Sequence, residues 1–127
     1  MNAVVSAYKQ MDVTGQVAGA SPKELIGLLF GGLTDRLSKA LGCIRYDDYA
    51  GKSEALTRAI EILEGLRQSL DLEQGGELAA NLNGLYLYCA QRLLRANIDH
   101  DEAPVVEVIS LVKTISEAWD AIDPELG

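Results

Sequence analysis

A long apolar helical stretch, residues 70–97, constrains the fold of this chain more than any other part of the sequence. Its apolar side chains recur at steps of three and four, which is the spacing of one face of an α-helix. The residues of that face are Leu78, Leu82, Leu85, Cys89, Leu93 and Ala96. Further apolar residues, among them Tyr86 and Leu94, widen the face to roughly half the circumference at about 100° per residue. Such a helix must lie centrally in a bundle or leave surface for a partner.

The clearest helix start lies upstream of this stretch. The pattern Ser21-Pro22-x-Glu24 is a capping box, with serine at the N-cap and proline in the first turn. The helix that follows is predicted to run to about Tyr46. Its core face consists of Leu25, Leu29, Leu33, Leu37, Ala40 and Ile44.

Glycine is unusually frequent within this first helix, at Gly27, Gly31, Gly32 and Gly42. Each glycine costs up to about 1 kcal/mol relative to alanine in a helix interior. The two interpretations are close approach by a neighbouring helix or bound segment, and simple tolerance.

A second helix is predicted from about Tyr49 to Leu70, with Asp48 as its N-cap. Its core face consists of Leu56, Ala59, Ile60, Leu63, Leu66 and Leu70. On the opposite side, Glu54 and Arg58 have the i, i+4 spacing of an ion pair.

The pair Gly75-Gly76 then forms a turn, because glycine readily adopts the left-handed backbone conformation. The long central helix follows and ends near Ile98. Asp101 is a candidate cap for a fourth helix, with Pro104 in its first turn. The apolar residues of this helix are Val105, Val108, Ile109, Leu111, Val112, Ile115, Trp119 and Ile122.

Four helices joined by short turns predict an all-α fold, an antiparallel up-down-up-down four-helix bundle. Residues 21–127 form this single helical domain. Residues 1–20 are predicted to be a flexible N-terminal arm or short helix, because small residues and glycines follow a brief apolar stripe. The stripe consists of Val4, Val5, Tyr8 and Met11.

Composition excludes several classes of protein. The 19 acidic and 11 basic residues give a net charge of −8, which disfavours binding to nucleic acid. No signal peptide is recognisable, and no apolar run approaches the roughly 18 residues of a membrane span. Cys43 and Cys89 lie within apolar helical patterns and are expected to be buried. The sequence therefore predicts a soluble protein of the cytoplasm that does not insert into membranes.

The sequence shows no pattern of a catalytic, cofactor or metal site. His100 is the only histidine, so a di-iron bundle, which needs two Glu-x-x-His pairs, is excluded. His100 itself is predicted to be a surface residue. The acidic cluster Asp99, Asp101 and Glu102 lacks the ligand spacing and central glycine of a calcium loop. No enzyme activity and no cofactor are expected.

The surplus of apolar surface instead favours binding of another protein chain, often as helices in grooves. The alternative is that Tyr86, Tyr88 and their neighbours pack against the N-terminal arm. The two ideas are compatible, since an arm can cover a groove until a partner replaces it.

Two segments resemble the FliS family of flagellar export chaperones. They are ASPKELIGLLFGG, residues 20–32, and LDLEQGGELAANLNGLYLYCAQRLLRAN, residues 70–97. The resemblance covers nearly the whole chain, from Ala7-Tyr8 to Ala118-Trp119. The chain departs from the family pattern at Gly31, where Asp is common, and at Gln91, where Arg is common.

The resemblance implies a cytoplasmic helical chaperone that binds the disordered C-terminal segment of flagellin and prevents its premature polymerisation. It also implies delivery to the flagellar type III secretion system and contacts with components of that export apparatus, without a cofactor. Tyr8 matches the arm tyrosine of the family and is expected to cover or shape the groove. We expect the partner-binding residues of the second and fourth helices to be Ile60, Leu63, Leu66, Val108, Leu111, Val112 and Ile115. The alternative function is a regulatory adaptor that binds an export or regulatory protein without holdase activity.

Overall fold

The computed structural model describes residues 21–122, and four α-helices make up most of this range. They are α1 (Pro22–Arg45), α2 (Tyr49–Gln68), α3 (Gly76–Asp99) and α4 (Ala103–Asp120). The first three end close to the positions predicted from periodicity. The predicted arm, residues 1–20, lies outside the described residues.

Side-chain caps begin the first two helices as the sequence predicts. Ser21 Oγ accepts a hydrogen bond from the backbone N–H of Glu24 at 3.1 Å and donates to the Glu24 carboxylate. At the start of α2, Asp48 Oδ1 accepts from the N–H of Gly51 at 3.0 Å. These bonds satisfy donors that have no partner within their own helix.

The starts of α3 and α4 differ in their chemistry. Gly76, the first residue of α3, has a φ of 55°, so the predicted left-handed turn is confirmed. Glu102 is the residue that directly precedes α4, but it makes no side-chain cap bond, so the capping role predicted for Asp101 is confirmed by Asp101's own side chain. The Asp101 Oδ1 accepts a hydrogen bond from the N–H of Ala103 at 3.0 Å.

The helices form an antiparallel bundle in which α1 packs on α2, α2 on α3, α3 on α4, and α4 back on α1. At one end of the bundle, the Trp119 indole N–H donates to the carbonyl oxygen of Lys23 at 3.1 Å. At the other end, Arg45 pairs with Glu102 at 2.8 Å. The predicted all-α, up-down-up-down architecture is confirmed.

One continuous apolar core runs along the bundle. Its largest fully buried side chains are Ile26, Phe30, Leu33, Leu37, Leu56, Leu63, Leu66, Tyr86, Leu93, Val105, Val108 and Val112. Cys43 and Cys89 are buried free thiols, as predicted. Burying a large apolar side chain contributes roughly 1.5–3 kcal/mol, so this core dominates the stabilisation of the fold.

The sequence left two alternatives for α3, a central position or uncovered surface, and the structure shows the second. Among the described helices, α3 occupies one corner of the bundle and packs mainly on α2 and α4. Part of its wide apolar face therefore remains in solvent. Leu87 is 41% exposed, Leu94 is 53% exposed and Ile98 is 73% exposed. Helical periodicity showed how wide the apolar face is, but not how many neighbours cover it.

The glycines of α1 do not all serve close helix packing. Among residues 21–122, a Cβ at Gly27, Gly31 or Gly42 would meet no atom within 4 Å outside the local backbone. Only Gly32 faces another helix, and there a Cβ would make an ordinary 3.5 Å contact with Ile62. Close approach of bundle helices therefore does not explain Gly27, Gly31 or Gly42.

The predicted Glu54–Arg58 ion pair on α2 is replaced by a different one. Arg58 pairs at 3.1 Å with Glu61, one turn further along the helix. Both spacings, i, i+3 and i, i+4, bring side chains together on a helix surface, so the sequence alone does not choose between them.

Candidate functional site

Helix α4 carries apolar side chains over a wider arc than the core requires. Val105, Val108 and Val112 are buried against the other helices. Ile109 on one flank, and Leu111 and Ile115 on the other, are only partly buried. Adjacent residues lie about 100° apart around a helix, and residues two positions apart lie about 200° apart. The buried face of α4 therefore cannot also contain the apolar residues on its two flanks. Helix α4 thus presents apolar surface towards both of its neighbours.

A groove of about 280 Å³ lies between α1 and α4. We call it the α1/α4 groove. Leu37, Ile109 and Val112 give it an apolar floor. Its polar rim consists of Thr34, Lys113, Ser116 and Glu117. An apolar floor with a few polar groups at the rim is typical of a site that receives the apolar side chains of a bound segment and orients the polar groups of that segment by hydrogen bonds.

Two contacts hold the helices that form this groove. The Arg45–Glu102 ion pair joins the C-terminal end of α1 to the start of α4. The hydrogen bond from Trp119 to Lys23 joins the opposite ends. Trp119 is itself only 3% exposed, so its large side chain is anchored in the core. The buried Trp119 therefore anchors the two helices at one end, and an exposed ion pair joins them at the other.

A second apolar strip, the α3/α4 seam, lies on the other flank of α4. Glu107 points towards α3, because its carboxylate accepts from the Tyr88 hydroxyl at 2.6 Å and from Arg92 Nε at 2.7 Å. Leu111 and Ile115 follow Glu107 at one and two turns on the same side of the helix. The residues of the seam are Leu78, Leu82, Leu85, Leu111 and Ile115, all partly buried.

The polar cluster next to this seam has perturbed acidity. Hydrogen bonds from Tyr88 and Arg92 lower the pKa of the Glu107 carboxyl below its usual range. The same bond to Glu107 raises the pKa of the Tyr88 hydroxyl. Burial raises the pKa of the Cys89 thiol to about 11, and the charge of Glu107 adds to this effect. A thiol with such a pKa is a poor nucleophile at neutral pH.

The structure sorts the predicted partner-binding residues into interior and surface positions. Leu63, Leu66 and Val108 are at most 1% exposed and lie in the core, so no partner contacts them while the bundle is intact. Val112 is equally buried, yet it forms part of the floor of the α1/α4 groove. Leu111 and Ile115 lie together in the α3/α4 seam. Tyr8 lies outside the described residues.

Ile60 does not lie beside the predicted residues of α4. On α2 it stands one heptad from both Ser53 and Arg67, which hydrogen-bond to Asn97 and Asn83 of α3. This spacing places partly buried Ile60 at the edge between α2 and α3. Because α2 and α4 occupy opposite corners of the bundle, they do not build a shared surface.

Sequence reasoning missed the contribution of α1 to the candidate site. Leu37 and Thr34 line the groove, whereas the prediction assigned the site to the second and fourth helices. Leu37 was recognised as apolar, but its position beside Ile109 depends on which helices become neighbours. The closing contact of α4 with α1 is a property of the topology and leaves no local signal in the sequence.

A polar cluster at one end of the bundle was also missed. Lys52 is 4% exposed, and its Nζ lies 3.0 Å from both the Asn97 carbonyl oxygen and His100 Nδ1. His100 Nε2 lies 2.8 Å from Asp47 Oδ1, and its ring stacks on Tyr49 with centroids 4.3 Å apart. His100 is thus a partly exposed residue that contacts Lys52, Asp47 and Tyr49, and the sequence did not indicate these contacts. The cluster joins the α1–α2 turn to the α3–α4 turn.

Among residues 21–122, no three His, Cys, Asp or Glu side chains are arranged to hold a metal ion. None of the helices within that range is long and apolar enough to cross a membrane.

Comparison with known proteins gives one consistent result. The family model described as "Flagellar protein FliS" matches residues 4–126. The flagellar secretion chaperone FliS of Salmonella typhimurium is 43% identical over 122 residues, which cover 95% of this chain and 90% of that protein. The flagellar secretion chaperone FliSB of Pseudomonas aeruginosa is 40% identical over 115 residues, covering 91% of each chain. FliS of Vibrio cholerae is 33% identical over 125 residues, covering 98% and 92%.

A match over nearly the full length, at these identities, agrees with the two segments that carry the resemblance in the sequence. The chain belongs to the FliS family of flagellar proteins.

Proposed function

We propose that this protein is a cytoplasmic export chaperone that binds the disordered C-terminal segment of flagellin. Binding prevents premature polymerisation, and the complex is handed to components of the flagellar type III secretion system without a cofactor. The observation that carries the proposal is the apolar α1/α4 groove, beside a second apolar strip on the same helix. The names of the relatives, flagellar secretion chaperones, support it.

The physical basis is coupled folding and binding. A disordered segment that becomes ordered loses conformational entropy, which must be offset by burial of apolar surface along an extended path. The α1/α4 groove and the α3/α4 seam together offer such a path on both flanks of α4. A segment that crosses α4 from one strip to the other covers Ile109, Leu111 and Ile115. These three residues are the proposed binding core.

Residues 1–20 are proposed to cover part of this surface in the absence of flagellin, with Tyr8 as the apolar anchor. Deletion of residues 1–20 is then expected to leave the bundle folded and to raise the rate of flagellin association. A deletion that unfolds the protein would show that these residues belong to the core, and would contradict the covering role.

Calorimetric titration with a synthetic C-terminal flagellin segment tests the proposal. We expect micromolar or tighter binding with a large negative heat-capacity change, the signature of apolar burial with ordering. Flagellin polymerisation should slow in parallel. A protein that binds other export components, but neither binds this segment nor delays polymerisation, would be the regulatory adaptor instead.

A matched pair of variants localises the binding. Ile109→Lys places a charge in the groove and should weaken binding about thirty-fold, the effect of a typical interface hot spot of about 2 kcal/mol. Leu28→Lys makes the same chemical change at a 56% exposed position of α1 and should leave affinity unchanged. Equal losses in both variants would show that general charge, and not the groove, determines affinity.

A further inference from the structure

Two arginine–glutamate pairs attach α4 to its two neighbouring helices. Arg45 Nε, at the end of α1, donates to Glu102 Oε2 at 2.8 Å, directly before α4 begins. Arg92 Nε, on α3, donates to Glu107 Oε1 at 2.7 Å. The Tyr88 hydroxyl reinforces this second pair, because it donates to the other Glu107 oxygen at 2.6 Å. We call the two contacts the α1-side pair and the α3-side pair.

The two glutamates lie on opposite flanks of α4. Glu102 and Glu107 are five residues apart in the sequence, which places them about 140° apart around a helix. Ile109 lies two turns beyond Glu102 on the same flank, and Leu111 and Ile115 follow Glu107 on the other. The α1-side pair therefore holds the flank that lines the α1/α4 groove. The α3-side pair holds the flank that forms the α3/α4 seam.

Attachment on two opposite flanks fixes the rotation of a helix about its own axis. When α4 rotates, one flank turns towards the core and the other turns towards solvent. Val108 and Val112 are at most 1% exposed, so the packed core permits only a small rotation. Ile109 and Ile115 are partly buried, so a small rotation changes their exposure most. The rotation of α4 thus determines how much apolar surface each strip presents.

We propose that Glu102 and Glu107 are opposed positioning residues, which set the rotation of α4 and so divide its apolar surface between the α1/α4 groove and the α3/α4 seam. Loss of the α3-side pair leaves the α1-side pair unopposed. The α1 flank then turns inwards, so Ile109 becomes less exposed and Ile115 more exposed. Loss of the α1-side pair has the reverse effect.

The exposure of the two pairs sets the size of the effect. Their four side chains are between 36% and 54% exposed. Exposed ion pairs contribute little to the global stability of a protein. Variants that lack one pair are therefore expected to fold, while the rotation of α4 responds to the pair that remains.

Methyl exposure in the free protein tests the direction of rotation. In isoleucine-labelled protein, a soluble paramagnetic agent broadens a δ1 methyl signal more strongly the more exposed that methyl is. Glu107→Gln should increase the broadening of the Ile115 signal and decrease that of the Ile109 signal. Glu102→Gln should produce the opposite pair of changes. Tyr88→Phe removes only the hydroxyl donor and should give a smaller change of the same sign as Glu107→Gln.

Glu61→Gln is the matched control. It also removes one negative charge and one arginine–glutamate pair, with Arg58 at 3.1 Å, but both of these residues lie on α2. The two reporter signals of α4 should not respond to it. An equal response to Glu61→Gln would show that charge, and not the attachment of α4, changes the exposure.

Segment binding links the rotation to function, and this step rests on the proposed flagellin site. Because the segment covers both strips, Glu102→Gln and Glu107→Gln should each weaken its binding roughly three- to ten-fold, as residues that act on a site without contacting it do. Glu61→Gln should leave the affinity unchanged. A parent protein that does not bind the segment would contradict the proposed function, whereas the exposure measurements on the free protein still decide the rotation.

Three results would overturn the positioning role. One is exposure of Ile109 and Ile115 that changes in the same direction, which indicates general loosening of the bundle. Another is exposure that does not change in any of the α4 variants. The third is the expected opposite change in exposure with unchanged affinity for a segment that the parent binds.

Discussion

At the scale of single residues, Gly51 shows how a side-chain cap constrains its neighbours. Its N–H donates to Asp48 Oδ1, and a Cβ at Gly51 would lie too close to the Asp48 carboxylate and 2.9 Å from Cys43 Sγ. Any side chain at this position must therefore displace the cap. The sequence predicted Asp48 as the cap, but it did not identify Gly51 as the residue that makes room for it.

Gly51→Ala is accordingly expected to destabilise the protein by about 1–2 kcal/mol, the usual cost of losing an N-cap. Urea denaturation measures this free energy of unfolding. Gly27→Ala is the control, because a Cβ there meets open space and alanine should stabilise the helix by up to about 1 kcal/mol. Equal effects of the two substitutions would show that the Asp48 cap does not depend on space at Gly51.

Glu107 links a single carboxylate to the pH dependence of stability. Its pKa is lower in the folded protein than its ordinary value, chiefly because Tyr88 and then Arg92 hydrogen-bond to the charged form. A carboxyl with a lowered folded pKa contributes stability above its unfolded pKa, and this contribution is lost as pH falls through the folded pKa.

Glu107→Gln should therefore be less stable than the parent protein at neutral pH, and the difference should shrink on acidification. Denaturant unfolding of both proteins across the acidic range measures the difference directly. Glu54→Gln, at an exposed position of α2, controls for the loss of one negative charge. A Glu107→Gln deficit that stays constant with pH would mean that the carboxylate is not stabilised by its neighbours.

At the scale of helices and turns, the cluster around Lys52 connects the α1–α2 turn to the end of α3. Lys52 on α2 contacts the Asn97 carbonyl and His100 near the end of α3, and His100 contacts Asp47 before α2. Asp47 and His100 both have positive φ, at 56° and 52°. The cluster thus fixes two left-handed turn residues against each other.

Lys52→Met keeps the aliphatic length of the side chain but removes the ammonium donor. We expect a loss of about 1–3 kcal/mol, because the carbonyl of Asn97 and the ring of His100 are left without this donor in a partly buried site. Lys113→Met, at an exposed site of α4, should change the free energy of unfolding by no more than about 0.5 kcal/mol. Thermal or urea unfolding that is unchanged by Lys52→Met would contradict a stabilising role for the cluster.

The helices themselves were largely predictable, because their signals are local. Ser21 and Asp48 cap as expected, Gly76 adopts the left-handed turn, and apolar periodicity identifies the core faces. The polar cluster was not predictable, since Lys52 and His100 are far apart in the sequence. A lysine in a helical pattern normally indicates a solvated face, and burial of Lys52 follows only from the packing of α2 against α3.

At the scale of the whole molecule, the order of the four helices around the core determines the candidate site. Sequence reasoning recognised an apolar excess and a family, yet it combined α2 with α4, which lie at opposite corners. It also included Leu63 and Leu66, whose apolar character serves the interior. Apolar periodicity does not distinguish a core residue from a groove residue, since both require a hydrophobic side chain.

The structure divides the surplus apolar surface into two regions. Ile109 and Ile115 lie on the two flanks of α4, and Ile98 lies on the outer face of α3. Each region therefore contains an isoleucine, whose δ1 methyl group gives a separate NMR signal. These signals distinguish binding at α4 from binding elsewhere on the bundle.

The most direct test is a methyl-NMR titration of the isoleucine-labelled protein with the flagellin C-terminal segment. The proposed function predicts that the Ile109 and Ile115 signals shift or broaden together at stoichiometric segment. The Ile98 signal, which reports on the outer face of α3, should stay in place. Shifts at Ile98 with unchanged Ile109 and Ile115 signals would contradict the assignment of the flagellin site to the flanks of α4.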